Sequence, residues 1–210
     1  MARRPSHRLN PKKKWIRGHE GKAIMKKLLW LDVETTGLDP IADDLLEVAW
    51  ALADFDNPFD IGSGESAVVR YPDSRYPDLS HLNPFILEMH TKNGLLAECR
   101  HRLIGVTDVE EALLSVVPEV ADKEDRTVLA GSTISFDHAF LKAKMPRLAA
   151  RLSYRHYDVS AVKLFCQSLG MPKIPKAEAH RAKEDILESI AHARQCAEWL
   201  MREGLKRGGV

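Results

Sequence analysis

The chain has 210 residues, 44% of them hydrophobic and 29% charged, enough for one globular domain with a substantial core. No apolar run approaches the roughly 18–20 residues of a membrane-spanning helix, and no apolar stretch follows the N-terminal charges, so neither a spanning segment nor a secretory signal is expected. Three widely spaced cysteines without a CxxC pair argue against a zinc site or a disulfide framework and suit a reduced, cytoplasmic setting.

Residues 1–27 carry ten Lys or Arg against a single acidic residue, Glu20, whereas residues 28–210 carry 21 basic and 29 acidic side chains. The first segment reads as a basic, flexible arm, with Met25 a candidate internal start, and residues 28–210 as the folded domain. A body with a net charge of −8 is poorly suited to gripping a long polyanion through many phosphate contacts.

The apolar and β-branched run at 28–34 predicts a first strand. Thr35-Thr36-Gly37 follows as a turn, with Gly37 free to take positive φ. Strands are expected again at 45–55 and 64–71, completing a meander, before a loop rich in Pro, Asp and Ser at 71–84. A helix is expected over 84–96, with a stop signal at Asn93-Gly94. Another is expected over 107–123, where Thr107 and Glu110 have capping-box spacing. A short buried strand at 127–132 leads to a helix that Ser135 would cap and Pro146 would end. After an extended piece from 154, Ser160 would cap a helix that Gly170 stops. A Pro-rich loop then precedes a long amphipathic helix from Arg181 onward. This order predicts an α/β fold, a mixed central β-sheet flanked by helices.

Two carboxylates interrupt the first strand. Asp32 and Glu34 are two residues apart, so they project from one face, and burying both without a positive partner is costly. No Lys or Arg of that strand stands between them, which makes an oxygen-seeking divalent cation, Mg²⁺ or Mn²⁺, the natural counter-charge near the sheet edge. Asp137 falls in the first turn of the helix after the buried strand, and His180 precedes Asp185 by five residues at the start of the last helix. If His180 lies in the loop just ahead, it need not share the helix face of Asp185.

Taken together, D-x-E at 32 and 34, D at 137 and H-x4-D at 180 and 185 resemble the DEDD exonuclease superfamily, in its histidine-containing branch. The resemblance implies a ribonuclease H-like exonuclease fold and two-metal phosphodiester hydrolysis. Asp32, Glu34, Asp137 and Asp185 would hold two Mg²⁺ or Mn²⁺ ions, and His180 would act as general base. Three further stretches, EMHTKNGL (88–95), LAGSTISFD (129–137) and YRHYDVSAVK (154–163), resemble oligoribonuclease, and their order fits over roughly 28–201. That likeness implies a homodimeric 3′→5′ exoribonuclease taking dinucleotides and other very short RNA. Leu38 would wedge against a base and Phe85, where relatives often have Trp, would lie under another. Thr133 and Ser160 would cap the 5′ phosphate, and Tyr154 and Arg155 would act in trans in the partner's site. Asp158 would orient a helix start. Two departures, Gly131-Ser132-Thr133 in place of GNS and Thr35-Thr36 in place of MT, leave the RNA and length preference open. A DNA-directed or proofreading-like 3′→5′ exonuclease is the alternative, and a catalytically silent nucleic-acid-binding module a more distant one.

Overall fold

A computed structural model describes residues 26–62, 64–70, 79, 82–175 and 180–207; the basic arm, through residue 25, and parts of the two expected loops lie outside the described residues. Five strands form one sheet in the order β3-β2-β1-β4-β5. β1 (Lys27–Thr35), β2 (Leu45–Asp54) and β3 (Glu65–Val68) make the expected antiparallel meander. β4 (Thr127–Gly131) and β5 (Leu152–Asp158) then run parallel to β1. Lys27 already belongs to β1, where it pairs with Asp54, one residue before the strand start expected at 28.

β1 is buried on both faces, which is why its sequence reads as a continuous apolar run. Leu29, Leu31 and Val33 face one core, shared with α3 (Val106–Val116), α4 (Ser135–Lys144) and α5 (Pro146–Arg151). Leu28 and Trp30 face the other, shared with α6 (Val159–Ser168) and α7 (Ala182–Arg207) through Val159, Ala182, Ile186 and Ile190. A smaller cluster seats α2 (Leu95–Arg100) on β2 and β3 through Leu46, Val68, Leu95 and Cys99. Helices on both faces of a mixed sheet are the expected architecture. Among the described residues no helix is long and apolar enough to cross a membrane, and Cys99, Cys166 and Cys196 are buried and free.

The structure corrects several local expectations. Gly37 does not take positive φ; a Cβ there would fall 2.3 Å from Asp43 Oδ2, so the Asp43 carboxylate occupies the space a side chain would need. The expected 84–96 helix is two: α1 (Pro84–Lys92) ends at Asn93, and α2 starts after Gly94 at φ 80°. Gly105, not Thr107, precedes α3, and its amide donates to Asp108 Oδ2 at 2.8 Å. Glu110 is buried instead, accepting from the Arg147 and Leu148 amides at the start of α5. Ser135 is the first residue of α4 rather than its cap, and Pro146 begins α5 as well as following α4. Asp158, not Ser160, caps α6 by accepting from the Ser160 and Ala161 amides, the orienting role expected of it. Gly170, at φ 103°, closes α6 as expected.

Candidate active site

Asp32 and Glu34 share the face of β1 that α7 covers. α7 carries Asp185 in its first turn, and one carboxylate oxygen each from Asp32, Glu34 and Asp185 lie within 4.8 Å of one another. Three hard oxygen donors so close repel unless a cation sits among them, and they match the ligand chemistry of a divalent metal ion. The cluster is not at the edge of the sheet, as expected, but at the C-terminal end of its central strand.

Asp137 arrives from the opposite face. β1 pairs with β4 only at Leu28, Leu29 and Trp30; farther along, the Val33 amide donates to Asp137 Oδ1 at 2.9 Å. The carboxylate therefore takes a ladder hydrogen bond that no strand provides. Burial pushes Asp137 up to about 7; its own amide and that of Val33 pull it down, and the charge of Asp158 adds to the rise. A buried carboxyl group in this state gains from a nearby cation, so the site fits a metal on this side also.

Six of the eleven residues singled out from the sequence line one cleft of about 420 Å³: Asp32, Leu38, Thr133, Asp137, Ser160 and Asp185. Leu38 is 79% exposed on a loop shaped by the two threonines. There the Thr36 hydroxyl accepts from the Asp44 amide and donates to Asp43, while the Thr35 hydroxyl donates to the Gly37 carbonyl. Across the cleft the Thr133 and Ser160 hydroxyls are 3.0 Å apart. Thr133 has φ 56°, and its amide donates to Asp158 Oδ1 at 3.2 Å.

Sequence reasoning missed four lining residues, Lys163, Glu188, Ser189 and His192. Their signal was helical spacing, since Lys163 is i+3 from Ser160 and the others are i+3, i+4 and i+7 from Asp185. Lys163 Nζ lies 3.3 Å from His192 Nδ1, and the Ser132 and Ser189 hydroxyls are 2.9 Å apart.

His180 lies just ahead of α7, as the sequence reading requires, half-buried and with φ 47°. Left-handed backbone at a residue with a Cβ costs about 1 kcal/mol or more and persists where surrounding contacts enforce it. Thr133 and His180 are the two non-glycine positions in that region among the described residues; Thr133 lines the cleft, and His180 is not among its lining residues. His90, fully buried, stands 3.2 Å from the Thr35 carbonyl and 3.7 Å from Glu34. Burial drives it down to about 4, opposed by the Thr35 bond and aided by repulsion from His180 and Arg181. At neutral pH it is therefore an uncharged donor to Thr35, and its contact with Glu34 is not an ion pair.

The remaining candidates stay outside the cleft. Phe85 is 66% exposed near the start of α1, and Tyr154 is 69% exposed on the edge strand β5. The Arg155 guanidinium stacks 4.6 Å over the Tyr154 ring and bonds Glu124 at 2.6 Å. Exposure of this kind rules out a core role for Phe85 and Tyr154.

An exonuclease family model, RNase_T, matches residues 29–192. Curated relatives named oligoribonuclease include one from Corynebacterium efficiens, 38% identical over 78% of this chain and 74% of its own. Another, from Leifsonia xyli, is 38% identical over 78% and 79%. The chain belongs to the oligoribonuclease family. The fold of this oligoribonuclease-family chain is shared with solved structures of Escherichia coli exonuclease I. One, in complex with a dT13 oligonucleotide, superposes with a TM-score of 0.62 at 17% identity, over 84% of this chain and 42% of that one. Another, a zinc-bound complex with single-stranded DNA, gives 0.60 at 18% identity over 80% and 40%. This chain thus spans about two fifths of exonuclease I. The oligoribonuclease-family segments EMHTKNGL and YRHYDVSAVK fall on α1 with its turn into α2 and on β5 with α6; of these, α6 lines the cleft and β5 is the sheet edge.

Proposed function

We propose that the protein is a 3′→5′ exoribonuclease that hydrolyses very short RNA, dinucleotides above all, to mononucleotides. One observation carries this reading: Asp32, Asp137 and Asp185 line one cleft of only about 420 Å³, within the range of a small-ligand site, that also presents the paired hydroxyls of Thr133 and Ser160. Asp32, Glu34, Asp137 and Asp185 are assigned as the ligands of two divalent ions, Mg²⁺ or Mn²⁺. When bound, these supply charge stabilisation for an in-line displacement at phosphorus.

The chain's own residues do the rest. His180 takes the proton from the attacking water. Leu38 packs against one base and Phe85 stacks under the other, a use that fits their exposure. Thr133 and Ser160 donate to the 5′ phosphate, and Lys163, the one Lys or Arg lining the cleft among the described residues, balances its charge. Tyr154 and Arg155 are assigned to the cleft of a second copy of this chain. Exposed Leu164 and Phe165 on α6, beside the β5 edge, support a homodimer formed through that side. Residues 28–210 are assigned as the exonuclease domain and 1–27 as a basic arm, and three free cysteines suit the cytoplasm.

The test is hydrolysis of 5′-phosphorylated RNA dimers, 7-mers and 20-mers with Mg²⁺ or Mn²⁺, beside matched DNA. Fast turnover of the RNA dimer, slow turnover of the 20-mer and none in Asp32→Ala/Glu34→Ala is the expected result. Equal or faster cleavage of long DNA assigns the protein to DNA-directed chemistry instead, and binding without turnover to a silent module.

A further inference from the structure

Glu47 is a further buried carboxylate beside the acidic cluster. It is the cross-strand partner of Glu34 on β2, so both side chains share a face, and it is 2% exposed. Its charge is taken up elsewhere. Arg181 grips it with both ends of its guanidinium, Nε to Oε2 at 3.0 Å and Nη2 to Oε1 at 3.2 Å. Oε2 also accepts from the Ala182 amide, the first of α7, at 3.1 Å. The far side of the same guanidinium bonds Glu98 of α2 at 3.0 and 3.4 Å. These bonds raise Arg181 well above the ordinary arginine range, and Arg181 in turn lowers Glu98.

Immediately before Arg181 comes His180, with its left-handed backbone. The His180 carbonyl accepts from Asn93 Nδ2, at the C-terminus of α1, while Asn93 Oδ1 accepts from the Leu95 amide. β2 and the consecutive helices α1 and α2, all far from α7 in sequence, therefore converge on two consecutive residues. Capping α7 needs only one acceptor at its start, which Glu47 supplies. The additional contacts, Glu98 and Asn93, act on the orientation of the residue before the helix.

We infer that Glu47, Arg181, Glu98 and Asn93 are positioning residues, a clamp that holds His180 in its strained conformation just ahead of α7. This rests on the reading of His180 as the general base. The clamp acts on the proton-transfer step: the Arg181 guanidinium bonds Glu47 and Glu98, while Arg181 meets Asp185 through its main chain, as the helical acceptor of the Asp185 amide, a bond that side-chain substitution leaves in place. It explains why α7 starts with an arginine between the histidine and the helix rather than with a simple polar cap.

The experiment is a double-mutant cycle with single-turnover rates on a 5′-phosphorylated RNA dinucleotide. Arg181→Ala is expected to lower the rate about 30-fold with KM within about threefold, and Arg181→Lys to recover part of the loss, as for an interaction felt in the transition state. In a His180→Ala background the same Arg181→Ala change is expected to cost less than about twofold, since residues acting as a unit are not additive. Mn²⁺ binding by calorimetry is expected to stay within about twofold, as Asp185 keeps its place. Equal losses in both backgrounds, or lost Mn²⁺ binding, overturn the clamp. A fully active His180→Ala overturns the general-base reading beneath it instead. If Arg181→Ala does not fold, Asn93→Asp, which keeps the acceptor for Leu95 and deletes the donor to His180, runs through the same cycle with the same criteria.

Discussion

The residues assigned to metal and those assigned to substrate are built on different principles. On the side assigned to metal, Asp32, Glu34, Asp137 and Asp185 come from a central strand and the first turns of two packed helices, and their main chain is fixed by the core. On the side assigned to substrate, Leu38, Phe85 and Tyr154 are exposed apolar or aromatic groups on a loop, a helix start and an edge strand. The carboxylates are placed before anything binds and bear mutual repulsion for it. The aromatic and aliphatic groups wait for bases or a second subunit to cover them. Chemistry is preorganised here, whereas recognition is completed on binding.

That contrast can be broken from either side. The largest effect is expected for Asp32→Asn: a fall in kcat of roughly 10³-fold or more, with the metal-free melting temperature unchanged or higher by about 1–3 °C. A large loss of stability instead would mean that the carboxylate serves the fold. Tyr154→Ala is expected to cost about 10- to 100-fold, without change in metal affinity. Mixing it with inactive Asp32→Asn chains should restore activity, since each mixed dimer then holds one site with both native residues; no recovery would place Tyr154 in its own subunit's cleft. Lys163→Met should raise KM about tenfold for 5′-phosphorylated dinucleotides and far less for 5′-hydroxyl ones. Phe85→Ala should raise KM by about five- to tenfold and Phe85→Trp lower it slightly, read by steady-state kinetics.

The smallest effect lies away from the cleft. Arg181 and Arg102 hold the Glu98 carboxyl below its ordinary range. Its folded pKa is depressed, so the stability it adds is present above the unfolded value near 4.5 and is lost as pH falls through the folded one. Replacement by Gln should flatten the acid limb of the melting curve between about pH 5 and 3 by one or two degrees.

What could be read from the sequence follows the range of the forces involved. β1 and β2 were legible because burial marks a contiguous apolar stretch, and α7 because it imposes a period of 3.6. Asp32 and Glu34 stood out because they interrupt such an apolar strand. Helix starts misled for a related reason: Thr107, Ser135 and Ser160 are all plausible caps, yet the structure shifts each boundary by one or two residues, and Asp158 does the capping for α6. Glu110 at capping-box spacing is used 37 residues away, at Arg147. The bonds between Glu47 and Arg181 span 134 residues, and no local pattern marks either end. Lys163 and His192 were hidden by their ordinary helical setting.

The bond from the Val33 amide to Asp137 has one more consequence. Because it stands in for a rung of the sheet, the protonation and ligation of that carboxylate are written into a backbone resonance in the middle of β1. The chemical shift and exchange rate of a single ¹⁵N-labelled amide should therefore follow the loading of the site, without substrate, turnover or any probe attached to the protein.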